Sequence, residues 1–207
     1  MNVLELFAGS RSIGKQAEKL GMNVFSVDWE QYENINLSID IGELTKENIP
    51  FTPDIVWASP DCTTYTIAAI STHRNGTEPK SDYAKKCDQV NRHFIGLINE
   101  WEKINPNMVY FIENPRGMLR KMPFMQELKR HTIWYCQYGD DRAKPTDIWT
   151  NSQTWKPRNI CHNGNKNCHH QPAPRGSKTG TQGRKGSYER SKIPEELCLE
   201  VLSSACR

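Results

Sequence analysis

Short apolar runs alternate with helix-forming stretches over the first 150 residues, and this alternation limits the possible folds more than any other feature. Val3 to Phe7 reads as a strand, and Ser12 to Leu20 as a helix closed by Gly21, a residue suited to helix termini. Asn23 to Asp28 and Ile55 to Ala58 predict two further strands, and Asp82 to Ile104 a long helix stopped by Asn105-Pro106. Met108 to Glu113 and Ile133 to Tyr138 are the last two strand-like runs. Strands separated by helices pair in parallel, so an α/β architecture is expected: a mostly parallel, doubly wound sheet. A length of 207 residues suffices for one such core and a small appendage.

After Asn151 the alternation stops. Pro, Gly, Asn, Lys and His dominate to about Gly186, too long a stretch for an ordinary connection inside a compact domain. Between Lys156 and Lys192 the only acid is Glu189, among many cations, although the net charge of the whole chain is just +3. Such asymmetry suggests a polyanion partner, and the plainer alternative is a solvated basic loop. Ser191 to Leu197 then opens a terminal helix, with Pro194 in its first turn and Leu197, Val201 and Leu202 as its apolar stripe. The expected division is therefore residues 1–150 as the core, 151–187 as a basic insert and 188–207 as a helix returned to the core.

The seven cysteines form an odd set, and Met1 to Phe7 enters a strand without a basic leader or cleavage site. Reduced thiols in a cytoplasmic setting are expected, buried, catalytic or metal-bound. No run approaches the roughly 20 apolar residues of a membrane span, so no membrane partner is expected. Oligomeric state is not legible.

The segment Phe7-Ala8-Gly9-Ser10-Arg11-Ser12-Ile13-Gly14 joins the first strand to the first helix. Glycines there permit a tight turn and close approach to a ligand, and the helix start offers free amides. Lys15-Gln16 does not continue it as a phosphate-binding P-loop, so an adenosyl ligand without a triphosphate fits better, the alternative being a plain structural turn. Asp28, ending the second strand, suits the two hydroxyls of a ribose, or else a helix cap. Trp29 and Ile41 would sandwich an adenine, and Asp40 would accept from its amine. Cys62, in Ser59-Pro60-Asp61-Cys62-Thr63, follows the third strand and faces the crevice where open α/β sheets bind ligands. It is a candidate nucleophile, and the alternative is a small buried hydrophobe.

These residues resemble the ordered motifs of the DNA cytosine-5 methyltransferases, in particular small phage-type members. The resemblance rests on Phe7-Ala8-Gly9, the acid Asp28, Pro60-Asp61-Cys62 and Glu113-Asn114-Pro115, with Gly139 to Thr146 similar to the family's basic motif. It covers residues 1–150 and, more loosely, the last helix. It implies a Rossmann-like S-adenosylmethionine-dependent methyltransferase fold whose small irregular insert recognises double-stranded DNA in a bacterial or phage-infected cell. It implies Cys62 as nucleophile, Glu113 at the ring nitrogen and amino group of a flipped cytosine, and Arg142 or Lys144 at its carbonyl oxygen. Phe7, Ala8, Gly9, Ser10, Ser12, Gly14 and Pro60 join Asp28, Trp29, Asp40 and Ile41 around the cofactor. Where the family has Pro before and Gln after the nucleophile, this chain has Asp61 and Thr63, and a carboxylate there would raise the thiol pKa. The rivals are a methyltransferase acting on RNA or another ring position, and a catalytically silent nucleic-acid-binding module.

The insert carries Cys161-His162 and Cys168-His169-His170, residue types that bind structural zinc; Cys161, His162, Cys168 and His169 are the expected ligands, with Cys136, Cys198 and Cys206 as competitors. Arg158, Arg175, Lys178, Arg184 and Lys185 are the expected DNA contacts, since cations interleaved with glycines and hydroxyls suit a phosphate backbone.

Overall fold

The computed structural model describes residues 1–173 and 186–206. The chain runs β1 (Asn2–Leu6), α1 (Ser12–Lys19), β2 (Asn23–Asp28), β3 (Leu37–Ser38), β4 (Ile55–Ala58), α2 (Ile70–His73) and the small hairpin β5 (Arg74–Asn75) and β6 (Glu78–Pro79). It continues with α3 (Asp82–Ile104), β7 (Val109–Pro115), β8 (Arg130–Trp134), β9 (Pro145–Thr150), α4 (Ser187–Ser191) and α5 (Glu195–Ala205). Among the described residues, seven strands make one sheet in the order β3-β2-β1-β4-β7-β9-β8. The first five are parallel, and β9 runs antiparallel to both β7 and β8.

The central strands read as continuous apolar runs because both faces are covered. Alternate residues of β1 and β4 go to opposite sides: Val3, Ile55 and Trp57 pack with Ile13 and Ala17 of α1 and with Leu197, Val201 and Leu202 of α5. Leu4, Leu6, Val56 and Ala58 pack with Phe94, Leu97, Ile98 and Trp101 of α3. Ser81 caps α3 by accepting from the Ala84 amide at 3.1 Å. The helix ends where Asn105 precedes Pro106, a residue that disfavours helical backbone before it.

Two expectations change. The strand expected over Ile133 to Tyr138 begins at Arg130 and stops at Trp134; Tyr135–Tyr138 form a 3-10 turn, closed by Gly139 at φ 83°. Strand β9 lies where only a basic motif was expected. Its Asp147 is buried and accepts from Arg120 Nε at 2.8 Å, so polar residues occupy a central strand with a partner. The connection from Asn151 to Ala173 has no regular element, although its Trp155 is buried with the α5 core. Arg175, Lys178, Arg184 and Lys185 lie outside the described residues.

Because α5 covers one face of β1, β4 and β7, Leu202→Ala opens a cavity against the sheet. Urea unfolding is expected to show a loss of about 2–5 kcal/mol. A loss below about 1 kcal/mol would mean that α5 is not part of the core.

Candidate active site

Parallel pairing brings the carboxyl ends of β1, β2, β4 and β7 to one edge of the sheet. The antiparallel β9 delivers the residues before its start, Lys144 among them, to the same edge. Strand β8 does so with the residues after its end, Tyr135 first. Every side chain of the site is placed by this geometry.

The loop after β1 turns through three left-handed residues, Phe7 (φ 55°), Gly9 (φ 47°) and Arg11 (φ 54°). Two of these are not glycine, so the conformation is held by its surroundings. The Gly9 amide donates to Asp28 Oδ2 at 2.9 Å, and the Glu30 amide to Asp28 Oδ1 at 3.0 Å. Beneath the loop, Glu5 stands on β1 with its carboxylate buried. Glu5 accepts from the Ile13 amide at 3.0 Å and from Ser26 Oγ at 2.9 Å, and Arg11 Nε donates to the same Ser26 hydroxyl at 3.0 Å. Burial pushes the Glu5 carboxyl up to about 7, against the pull of these amides, Ser26 and Arg11. A Cβ at Gly14 would lie 2.7 Å from Glu5 Oε2. Gly14, expected at the cofactor, instead makes room for this carboxylate under the first turn of α1.

The other expected cofactor residues divide. Trp29 is 70% exposed, beside the end of β2, whereas Ile41 is buried in the core. Asp40 is occupied elsewhere than expected. It caps the 3-10 turn Ile41–Glu43 through the Gly42 amide at 2.9 Å and pairs with Lys86 at 2.6 Å. The Lys86 hydrogen bond and the Gly42 amide hold its carboxyl below the usual range. The hydroxyl of Ser12 accepts from the Ile193 amide at 3.1 Å and lies 2.9 Å from Ser10 Oγ, so Ser12 anchors the chain entering α5.

Beyond β4, Asn114 Nδ2 donates to the Pro60 carbonyl at 2.8 Å, tying the nucleophile loop to the end of β7. Asp61 Oδ1 accepts from the Thr63 amide at 2.7 Å, and its other oxygen accepts from the Tyr83 hydroxyl. The carboxylate is therefore engaged by a turn amide and Tyr83, and not by Arg142, which Asp140 holds. Cys62 precedes the 3-10 turn Thr63–Tyr65. That turn is held from below by Arg74, whose guanidinium donates to the Thr64 carbonyl at 2.9 Å and to Asp88 at 2.6 and 3.1 Å. The Tyr65 hydroxyl donates to Asp88 at 2.6 Å and accepts from Asn91 at 2.8 Å. Gly117 passes so close that a Cβ there would lie 2.4 Å from the Tyr65 carbonyl oxygen.

Glu113 is buried and accepts from the Tyr135 hydroxyl at 2.8 Å, with Lys144 Nζ 3.6 Å away. The Lys144 ammonium lies 4.5 Å from the Tyr135 ring centroid. Burial pushes the Cys62 thiol up to about 11; Lys144 pulls it down, while Asp61 and Glu113 push it further up. Cys62, Glu113 and Lys144 thus form one electrostatic group. Arg142 is not part of it: its wholly buried guanidinium is held by Asp140 at 2.5 and 2.8 Å. Of the two cations expected at the base, the structure brings Lys144 to the carboxylate.

Arg158, expected on DNA, bridges Glu196 at 2.6 Å and Glu200 at 2.9 Å on α5 and stacks over Tyr138. It fastens the insert to the core. The expected metal ligands also regroup. Cys161 and Cys168 gather with Cys136 and His170, whereas His162 is exposed and His169 Nε2 faces the Asp140 carbonyl at 3.0 Å. Sequence reasoning missed Glu5 and Tyr135. Glu5 carried a signal, a charge inside an otherwise apolar strand; Tyr135 carried none, since an aromatic in an apolar run reads as core.

No family model matches the sequence. A probable DNA (cytosine-5)-methyltransferase of Frog virus 3 (isolate Goorha) is 26% identical over 220 residues, covering 98% of this chain and 99% of the viral protein. Among solved structures, the Entamoeba histolytica methyltransferase EhMeth matches with a TM-score of 0.53 at 14% identity, over 77% of this chain and 56% of its own. The S. pombe Dnmt2 methyltransferase matches with a TM-score of 0.50 at 14% identity, over 77% of this chain and 51% of its own. The chain thus spans about half the length of these two structures, whose likeness concerns the Rossmann-like methyltransferase fold alone. The chain is thus similar from end to end to a probable DNA (cytosine-5)-methyltransferase, on a Rossmann-like methyltransferase fold that carries Gly9, Asp28, Cys62 and Glu113 in order along it.

Proposed function

We propose that the protein transfers a methyl group to carbon 5 of a cytosine flipped out of double-stranded DNA, through a covalent adduct with Cys62. The observation that carries this reading is the convergence of Cys62, Glu113 and Lys144 at the functional edge of the sheet. The β1 and β2 loops suit S-adenosylmethionine. Each Asp28 oxygen takes one backbone amide and keeps a lone pair for a ribose hydroxyl, and the exposed Trp29 offers an unpacked ring nearby. When bound, that cofactor supplies an electrophilic methyl group on a sulfonium.

Carbon 5 of cytosine is a poor nucleophile until the ring is made electron-rich. Cys62, as thiolate, forms a bond to carbon 6, and the displaced electron pair makes carbon 5 an enamine carbon that takes the methyl. Glu113 meets the ring nitrogen at position 3 and the amino group, where charge changes during attack, and Tyr135 fixes its orientation. Lys144 holds the carbonyl oxygen at position 2 and favours the thiolate. Loss of the carbon 5 proton to a base then expels Cys62 and restores the double bond. A base stacked in a duplex cannot enter such a site, so the nucleotide is extruded. The excess of cations between Lys156 and Lys192 supports a phosphate-backbone partner.

The reading is tested with a pool of duplexes carrying 5-fluorocytosine in varied contexts, plus S-adenosylmethionine, since fluorine cannot leave as the proton does. A gel-stable adduct with wild-type protein, lost in Cys62→Ala, is expected. An adduct only on matching RNA would move the substrate to RNA, and none on either, with DNA affinity retained, would leave a silent binding module.

The thiol carries a second prediction. With a pKa of about 11, roughly one Cys62 in a thousand is thiolate at pH 8, so its iodoacetamide reaction accelerates about tenfold per pH unit below that value. Asp61→Asn keeps an acceptor for the Thr63 amide and removes a charge that opposes ionisation. Its Cys62 alkylation at pH 8 is expected to be several-fold faster, as judged by peptide mass analysis. An unchanged or slower rate would show that the Asp61 charge is not felt at the sulfur.

A further inference from the structure

A second set of reactive side chains lies away from Cys62, where the insert meets the wall of the site. The Sγ atoms of Cys136, Cys161 and Cys168 and a ring nitrogen of His170 all lie within 4.8 Å of one another. Cys136 belongs to the Tyr135–Tyr138 turn and the other three to the irregular segment after β9. Cys136, Cys161 and His170 are 2%, 5% and 4% exposed, so the group is interior to the protein. Hydrophobic packing does not account for it: the apolar cluster around these thiols adds only Ala143 and the partly buried Trp134. Ile160, next to Cys161, is 77% exposed.

We propose that Cys136, Cys161, Cys168 and His170 bind one zinc ion, which staples the insert to the wall of the active site. Three sulfurs and one imidazole are a full tetrahedral set, with no position left for a catalytic water. Metal–sulfur bonds of about 2.3 Å imply ligand–ligand edges near 3.8 Å, a small contraction of the group as it stands. Cys161 Sγ and His170 Nδ1 are already 3.8 Å apart. Side-chain amides face the sulfurs as they would face thiolates: Asn165 Nδ2 lies 3.4 Å from Cys161, and Gln137 Nε2 lies 3.7 Å from Cys168 and 3.9 Å from Cys136. A soft donor set without carboxylates selects against magnesium and calcium. With Nδ1 on the metal, the ring proton sits on Nε2, so the Gly164 amide facing that nitrogen at 3.3 Å turns aside on loading.

The position of the site gives the ion its role. Cys136 follows Tyr135, the hydroxyl partner of Glu113, and Ala143 in the same cluster precedes Lys144. The zinc therefore braces both partners of Glu113 and the root of the basic segment at once. This proposal does not depend on which nucleic acid is methylated, nor on the Cys62 adduct.

Elemental analysis of the purified full chain is expected to find about one zinc per chain. After removal by a chelator, Co(II) is expected to give the intense visible bands and the sulfur-to-metal charge transfer of a tetrahedral thiolate site, reversed by Zn(II). Cys161→Ser, Cys168→Ser and His170→Ala lose the ion, whereas His162→Ala and His169→Ala retain it. The wild-type cobalt spectrum decides the matter even where a cysteine variant fails to fold. A folded wild-type chain with no zinc and only the weak bands of octahedral cobalt would overturn the proposal. Equal loss of metal in His169→Ala and His170→Ala would overturn the ligand assignment.

Discussion

Beneath the nucleophile's turn, one guanidinium and one carboxylate are buried together, and the placement of Cys62 depends on them. Arg74 sits on a two-stranded hairpin and Asp88 on α3, and between them they hold the backbone and hydroxyl of Thr64 and the phenol of Tyr65. Removing one member of such a buried pair typically costs about 3–5 kcal/mol, because the other charge is left without a partner. Hydrophobic packing alone would position this turn loosely, since it is short and ends beside solvent. The ionic clamp converts a flexible connection into one with a single arrangement, and Gly117 lets the β7 loop close over it.

The site itself is electrostatically unfinished. One ammonium, that of Lys144, faces Glu113 beside Cys62, and burial together with the Asp61 and Glu113 charges pushes the thiol up. A protein that only needed a reactive sulfur would place it at a helix start or beside several cations. Here Glu113 accepts from Tyr135 and lies within reach of Lys144, an arrangement suited to a polar partner.

Much of the architecture was legible because the core strands are largely apolar runs and α3 has clear start and stop residues. Strand β9 was not, because its buried Thr146 and Asp147 look like loop residues until Arg120 is seen beside Asp147. The strand expected through Tyr138 was cut short by a left-handed glycine whose influence on the preceding turn has no apolar signature. Cys62, Glu113 and Asp28 stood out since each lies near the carboxyl end of an apolar strand or in the loop that follows it. Choosing Lys144 over Arg142 was beyond the sequence, as both sit in one basic string and the distinction lies in Asp140. The same holds for His170 against its neighbours His162 and His169, where the path of an irregular backbone selects the ligand.

The hydroxyl of Ser12 has a consequence that reaches beyond its own loop. Through the Ile193 amide it fixes the segment by which the chain re-enters the core, while the other end of the basic stretch leaves from the carboxyl end of β9, the end away from Lys144. The loop after β1 and the start of α5 are therefore held by one hydroxyl, although they lie far apart in sequence.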